Sequence, residues 1–512
     1  MIHKCAPEGI RGQPGLEAHV SAQPAGRHCD VKRSSAQRRR EVRQAAAPPR
    51  YEINESFATH HNVHKRHSIG DMNYRPHFHV SPPSGRLNDP NGIFCDGDTL
   101  HVYYQHDPCF PHAPKQTGWG HAVGAVSTPR PWRHAPDALY PVREYDAHGC
   151  YSGGAVVDGE DVWLFYTGNL KREGMRIPSQ NRVRVVDAGG PEGGIYERDV
   201  ANPLISGPAE GFTGHYRDPH ITRDGEGWRM VLGAQAADET GHVVLYRSDD
   251  VEAWSFQGAI TFDVSGAEPG LSPDLVPGGY MWECPNLVTL RDRATGEDKD
   301  ILVICPQGLE PVLAGDATHY ASSDQCGYLV GRLEGTVFHV ERGFSELDYG
   351  HHFYAPQLVE KDGDAIMLGW MGLPAQDDTP TVKQGWVHTL TLPRRVWLEE
   401  GWLRQAPAWD LSSVPSPVAR EGFGSVATLT AGEGTFVLVD SSGDEAFRVT
   451  YGGGELRLAS SDDERVVPCP AGSLELVADG CAVEVFAGDG RIAGAAAVFG
   501  ARDARWKGWE AR

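Results

Sequence analysis

One pattern recurs along most of this chain and limits what it can fold into. A polar cluster, an apolar run, a Gly/Asp turn and a second apolar run appear at NDPNGIF (88–94), YSGGAVV (151–157), YRDPHIT (216–222), WECPNLV (282–288) and FYAPQLV (353–359). With Asp89, Ser152, Asp218, Glu283 and Tyr354 as markers, successive units lie 63, 66, 65 and 71 residues apart. A repeat of that length is a supersecondary unit that cannot bury its apolar face alone and stacks against its neighbours.

Within each unit the apolar runs are short and separated by Gly/Asp turns, as in GIFCDGDTLHVYYQ (92–105) and GGAVVDGEDVWLFYTGN (153–169). That is the signature of strands, and each unit is long enough for a four-stranded sheet. Five such units predict an all-β fold, a five-bladed β-propeller over residues 73–405. Residues 406–512 change to period-two segments such as GTFVLVD and SLELVADGCAVEVFAGDG, which predict a small C-terminal β-sandwich that buttresses the propeller. Residues 1–72 are rich in Arg, Ala, Ser, Pro and Gln, carry the run RRR at 38–40, and read as a disordered basic segment. Met72 stands directly before the ordered pattern, so the natural chain is expected to start near it.

Charge narrows the partners. Residues 1–72 hold 12 Lys+Arg and 7 Asp+Glu, whereas the remaining chain holds 35 and 62. A body that acidic repels phosphate backbones and anionic membranes, so a neutral small molecule is the expected partner, with no nucleic acid and no membrane. The 10 cysteines form no CxxC pair or dense framework, and no apolar run reaches the length of a membrane span. Reduced thiols and a cytoplasmic location are the expectation.

In a propeller the same place in successive repeats converges at the axis, so Asp89, Asp218 and Glu283 are expected to meet at one mouth of the channel, beside Trp119, Tyr151 and Trp282. Singly, each cluster is an ordinary turn or surface pair. Two carboxylates flanking one bond are the equipment of glycoside hydrolysis, in which one acid protonates the leaving oxygen and the opposed carboxylate meets the developing positive charge. A cluster of three separates their pKa values, so that one stays protonated. No HExxH, GxSxG, Walker loop or strand-to-helix GxGxxG is present, and no metal or cofactor is expected. The histidines at 60, 61, 64 and 67 read as part of a solvated linker.

NDPNG (88–92), YYQHDP (103–108), GWGHAV (118–123), CYSGGAV (150–156), YTGN (166–169), YRDPH (216–220), WECPNL (282–287), FYAPQ (353–357) and WMG (370–372) resemble, in order and spacing, glycoside hydrolase family 32, the β-fructofuranosidases. The nearest pattern is that of bacterial sucrases and sucrose-6-phosphate hydrolases, bifidobacterial-like members in particular. The resemblance implies a retaining double displacement, with Asp89 as nucleophile, Glu283 as acid/base and Asp218 as the group that binds fructosyl hydroxyls. It also implies that Asn88, Gln105, Trp119, Tyr151, Ser152 and Arg217 line the fructosyl pocket.

Local chemistry adds an expectation about protonation. Asn88 and Arg217 adjoin Asp89 and Asp218 and are expected to keep both ionised, while Trp282, Cys284 and Pro285 give Glu283 a less polar setting. Arg86, Leu87, Asp107, Gly154 and His352 depart from the family pattern, which leaves the leaving-group side open among sucrose, its 6-phosphate and short fructans. Lys171, Arg172 and Arg176 are the candidates for holding a phosphate. A fructosyltransferase and a non-catalytic carbohydrate-binding propeller are the other readings.

Overall fold

The computed structural model describes residues 74–309, 324–411, 426–440, 443–460, 463–499 and 505–509. The basic N-terminal segment, its histidine run and the expected start near Met72 lie outside the described residues.

Seven β-sheets and two short 3-10 helices, Glu144–Asp146 and Pro380–Gln384, make up the regular structure of the described residues. Five follow one another through the repeat region, each an antiparallel meander of four main strands. Their first strands are Gly85–Asp96, Ala155–Asp158, Phe212–Asp224, Met281–Arg291 and Tyr354–Lys361. Each of these touches the first strand of the sheets before and after it, and the fifth touches the first, so the five make a closed ring. Closure is also covalently economical: after its second strand the fifth sheet sends Trp386–Val387 across to pair in parallel with Gly85 and Arg86 of the first.

The proline in four of the repeat motifs explains how the inner strands turn toward the axis. Pairing with the neighbouring strand skips between Leu87 and Pro90, Arg217 and His220, Glu283 and Asn286, and Tyr354 and Gln357. Proline cannot donate to the ladder, so each skip is a bulge that re-aims the side chain before it. Asp218, Cys284 and Ala355 take up φ of 67°, 45° and 48° there. Such conformations cost a non-glycine residue about 1–3 kcal/mol and persist where surrounding bonds over-determine them.

Those bonds come from the residue after each proline. Asn91 accepts from Gly153 N–H, and Asn286 accepts from Leu358 N–H while donating to the Pro356 carbonyl. His220 reaches the Leu358 carbonyl, and Gln357 accepts from Ile93 N–H and donates to the Gly153 carbonyl. Four polar side chains thus knit the inner strands together in place of ordinary ladder bonds.

The last two sheets, which include strands Gly434–Val439, Glu445–Gly452, Leu474–Asp479 and Ala482–Ala487, share one apolar core of Leu438, Phe447, Val449, Leu476, Val483 and Val485. They meet the ring through a fully buried charge network. Arg394 pairs with Asp348 at 2.8 Å and Glu484 at 2.6 Å, and His79 bridges Asp479 at 2.8 Å and Glu484 at 2.9 Å.

Candidate active site

The bulges give the carboxylates their places, with one correction to the repeat register. Asp89, Asp218, Cys284 and Ala355 are the equivalent residues, each preceding a proline. Glu283 is not equivalent to Asp89 and Asp218, as the marker alignment has it. It stands one residue earlier, in the place of Asn88, Arg217 and Tyr354. Alternation across the pleat turns residues at these two positions differently, which is why Asp89 and Asp218 lie against the Cys284 thiol while Glu283 faces Arg217 and Tyr354.

Cys284 Sγ is 3.9 Å from Asp89 Oδ2 and 3.7 Å from Asp218 Oδ2. Its backbone N–H donates to the same Asp218 oxygen at 3.1 Å. Asp89 accepts from Asn88 at 3.0 Å and, on its other oxygen, from Ser152 Oγ at 2.5 Å, with Gln105 at 3.4 Å. Gln105 also donates to Ser152 and accepts from Asn88, so four expected site residues, three on the first sheet and Ser152 just before the second, form one bonded group.

Glu283 is held at both oxygens. Arg217 donates to Oε1 at 2.6 and 3.1 Å, and Gln307 and Tyr354 donate to Oε2 at 2.6 and 2.8 Å. Its setting is therefore donor-rich rather than the less polar one expected from Trp282, Cys284 and Pro285. Arg217 is correspondingly displaced from its expected partner, since its guanidinium is 3.8 Å from Asp218.

Asp218 does not stay low in pKa as expected. Burial, with Glu283 and Asp89 adding to it, outweighs the Arg217 charge and pushes its carboxyl up to about 7. Arg217, bonded to Glu283 and 3.8 Å from Asp218, lowers that pKa without offsetting the burial.

Trp119 differs too. It has no exposed surface, so it does not line the pocket; it packs with Tyr103 and Tyr166, and its indole N–H donates to the Tyr151 carbonyl at 3.1 Å. It acts on the site through the backbone that presents Tyr151 and Ser152. Of the basic residues considered for phosphate, Arg172 is paired with Glu144 at 2.6 Å, both exposed, and Arg176 lies near His215.

Gln307 and Thr167 escape sequence reasoning. Thr167 accepts from Asp218 N–H at 3.0 Å, and its YTGN motif gave a signal without a role. Gln307 has none, because it comes opposite Met281 only through strand pairing. Among the described residues no group of three or more His, Cys, Asp or Glu is placed to hold a metal ion. Nor is any described helix long and apolar enough to cross a membrane.

A model of the glycosyl hydrolases family 32 N-terminal domain matches residues 79–407. The chain belongs to glycosyl hydrolase family 32. This family 32 enzyme is 36% identical to the sucrose-6-phosphate hydrolase of Bacillus subtilis (strain 168) over 362 residues, 69% of each chain. It is 33% identical to the raffinose invertase of Escherichia coli over 341 residues, 66% of each. Among solved structures it is similar to a Bombyx mori GH32 beta-fructofuranosidase mutant in complex with sucrose, with a TM-score of 0.68, 28% identity, and 85% of this chain and 91% of that one covered.

Proposed function

We propose that the family 32 enzyme is a retaining β-fructofuranosidase that releases terminal non-reducing β-D-fructofuranosyl residues from sucrose and short fructo-oligosaccharides. The observation that carries this is the pair of carboxylates, Asp89 and Glu283, each oriented by its own donors and both close enough to the buried Asp218 to act on its charge. The ring of sheets, whose described strands run from Gly85 to Pro407 and so two residues past the expected boundary at 405, is then a five-bladed propeller with its site at one mouth, and the described strands from Val426 onward supply the sandwich.

Asp89 attacks the anomeric carbon, and its carboxylate becomes an ester with the fructosyl group. Ser152 and Asn88, each donating to one Asp89 oxygen, fix the attack direction. Glu283 gives its proton to the departing glycosyl oxygen and later takes one from the water that cleaves the ester. The Tyr354 hydroxyl and the Arg217 guanidinium donate to the two Glu283 oxygens, so the carboxyl is held in place while its own proton is left for the departing oxygen. Asp218 accepts fructosyl hydroxyls; each such bond favours its ionised form against the burial that raises its pKa. Eight free cysteines among the described residues, six of them buried, suit a reducing compartment such as the cytoplasm.

The test is parallel measurement of fructose released from sucrose, sucrose-6-phosphate, 1-kestose and inulin, with the first-formed anomer followed by NMR. β-Fructose as first product, lost by several orders of magnitude in Asp89→Ala and Glu283→Gln with folding intact, is the expected result. α-Fructose as first product, or near-full activity in either variant, refutes the assignment.

A further inference from the structure

The departures from the family pattern at Arg86 and His352 leave the leaving-group side of the pocket unexplained, and the structure builds a specific wall there. On the fructosyl side of Asp89 stand Gln105 and Ser152. On its other side the same strand carries Arg86, whose guanidinium donates to Asn88 Oδ1 at 2.6 Å. Arg86 also lies 5.3 Å from the Trp370 ring, and Trp370 meets Tyr354, the Glu283 partner, edge-on at 6.4 Å. Contacts therefore run from the nucleophile through Asn88, Arg86, Trp370 and Tyr354 to the acid.

One group on that wall is aimed outward. Asp377 accepts from Arg86 Nε at 2.7 Å and His388 Nε2 at 3.1 Å, both on Oδ1, while its side chain is 39% exposed. His388 is itself fixed edge-on against Trp370 at 5.2 Å. No described residue engages Oδ2, which leaves a rigidly mounted carboxylate oxygen free to accept sugar hydroxyls. Counting Lys115 itself, an exposed side chain at the same mouth with no carboxylate within ion-pair distance among the described residues, the charges there are Asp89, Asp107 and Asp377 against Arg86 and Lys115. Arg217, the other guanidinium at the site, is committed to Glu283.

We infer that Asp377, mounted by Arg86 and His388, is the specificity-determining residue of the leaving-group side: it binds the hydroxyls of an uncharged leaving sugar and disfavours one bearing a phosphate. The inference rests on the β-fructofuranosidase reading and goes beyond it, because the relatives named for sucrose-6-phosphate give the opposite expectation. Discrimination here comes from a repulsive element as much as from an attractive one.

The experiment compares kcat/KM for sucrose, sucrose-6-phosphate and methyl β-D-fructofuranoside in the unaltered enzyme and in Asp377→Asn. The unaltered enzyme is expected to favour sucrose over its 6-phosphate by about tenfold or more, as rejection of a charged group at a polar site implies. In Asp377→Asn, kcat/KM for sucrose falls about tenfold, mostly through KM, as expected for a lost bond to a charged group. The methyl glycoside, whose leaving group has no hydroxyls to offer, loses far less, and the gap to sucrose-6-phosphate narrows. A preference for sucrose-6-phosphate in the unaltered enzyme overturns the inference without any variant, and so does an equal loss on all three substrates. Absence of fructose from all three substrates would instead refute the β-fructofuranosidase reading.

Discussion

Replacing Asp218 by Asn should destroy activity and at the same time stabilise the protein above neutral pH. The side chain of Asp218 is only 8% exposed, and its carboxyl titrates at about 7 in the folded chain against an ordinary 3.8. A raised folded pKa means that the native state binds a proton more tightly than the unfolded chain does. Its stabilising contribution is complete below pH 3.8 and is lost progressively as pH rises through about 7. Above that, the buried ionised carboxylate costs the shift of about three units at ~1.4 kcal/mol each, or ~4 kcal/mol. Asn carries no charge, and its carbonyl can still accept the Cys284 N–H that Asp218 Oδ2 receives at 3.1 Å. Thermal unfolding of both proteins at pH 8, 6 and 4.5 measures the difference. For a chain of this size the Asn variant should melt roughly 4–8 °C higher at pH 8, with the advantage nearly gone at pH 4.5. An Asn variant no more stable than the unaltered protein at pH 8, or an advantage independent of pH, would show that Asp218 is not carried as a strained buried charge.

Other perturbations test the rest of the architecture. Tyr354→Phe removes the hydroxyl 2.8 Å from Glu283 and should lower kcat by about ten- to a hundredfold with little change in KM, read from steady-state kinetics on sucrose. Gln357→Ala strands the Ile93 N–H and the Gly153 carbonyl at the axis, for a loss of about 2–4 kcal/mol in denaturant unfolding. Glu484→Gln breaks the buried network with Arg394 and His79 and should cost about 3–5 kcal/mol. His79, raised to about 9 by Asp479 and Glu484 against the cost of its burial, adds stability that is complete below pH 6.5 and is lost as pH climbs through about 9. A melting temperature that does not fall between pH 7 and 10 more steeply in the unaltered protein than in His79→Gln would contradict that assignment.

Much of this protein is determined by its sequence alone because a strand is a local object. Alternating apolar residues and Gly/Asp turns need no distant partner to declare themselves, so the sheets and their order are legible in segments such as GIFCDGDTLHVYYQ. Convergence of the repeat motifs follows from the same periodicity. Side-chain pairings across the ring are not written there. Glu283 meets Arg217 across 66 residues and Gln307 across 24. The one-residue offset of Glu283 from the pre-proline place of Asp218 is in the sequence, but that Arg217 bonds Glu283 is set only by the packing of the two inner strands. Arg217 bonds Glu283 and stays 3.8 Å from Asp218, and burial there outweighs its charge and reverses the protonation expected from neighbours in sequence. Trp119 and Asp377 teach the same lesson, one withdrawn by packing and the other, in the connection between Asp364–Met371 and the crossing strand Trp386–Val387, bonded to Arg86 of the first sheet. Periodicity fixes which faces are buried; charge and hydrogen bonding depend on distances of a few ångströms, and only the folded chain sets those.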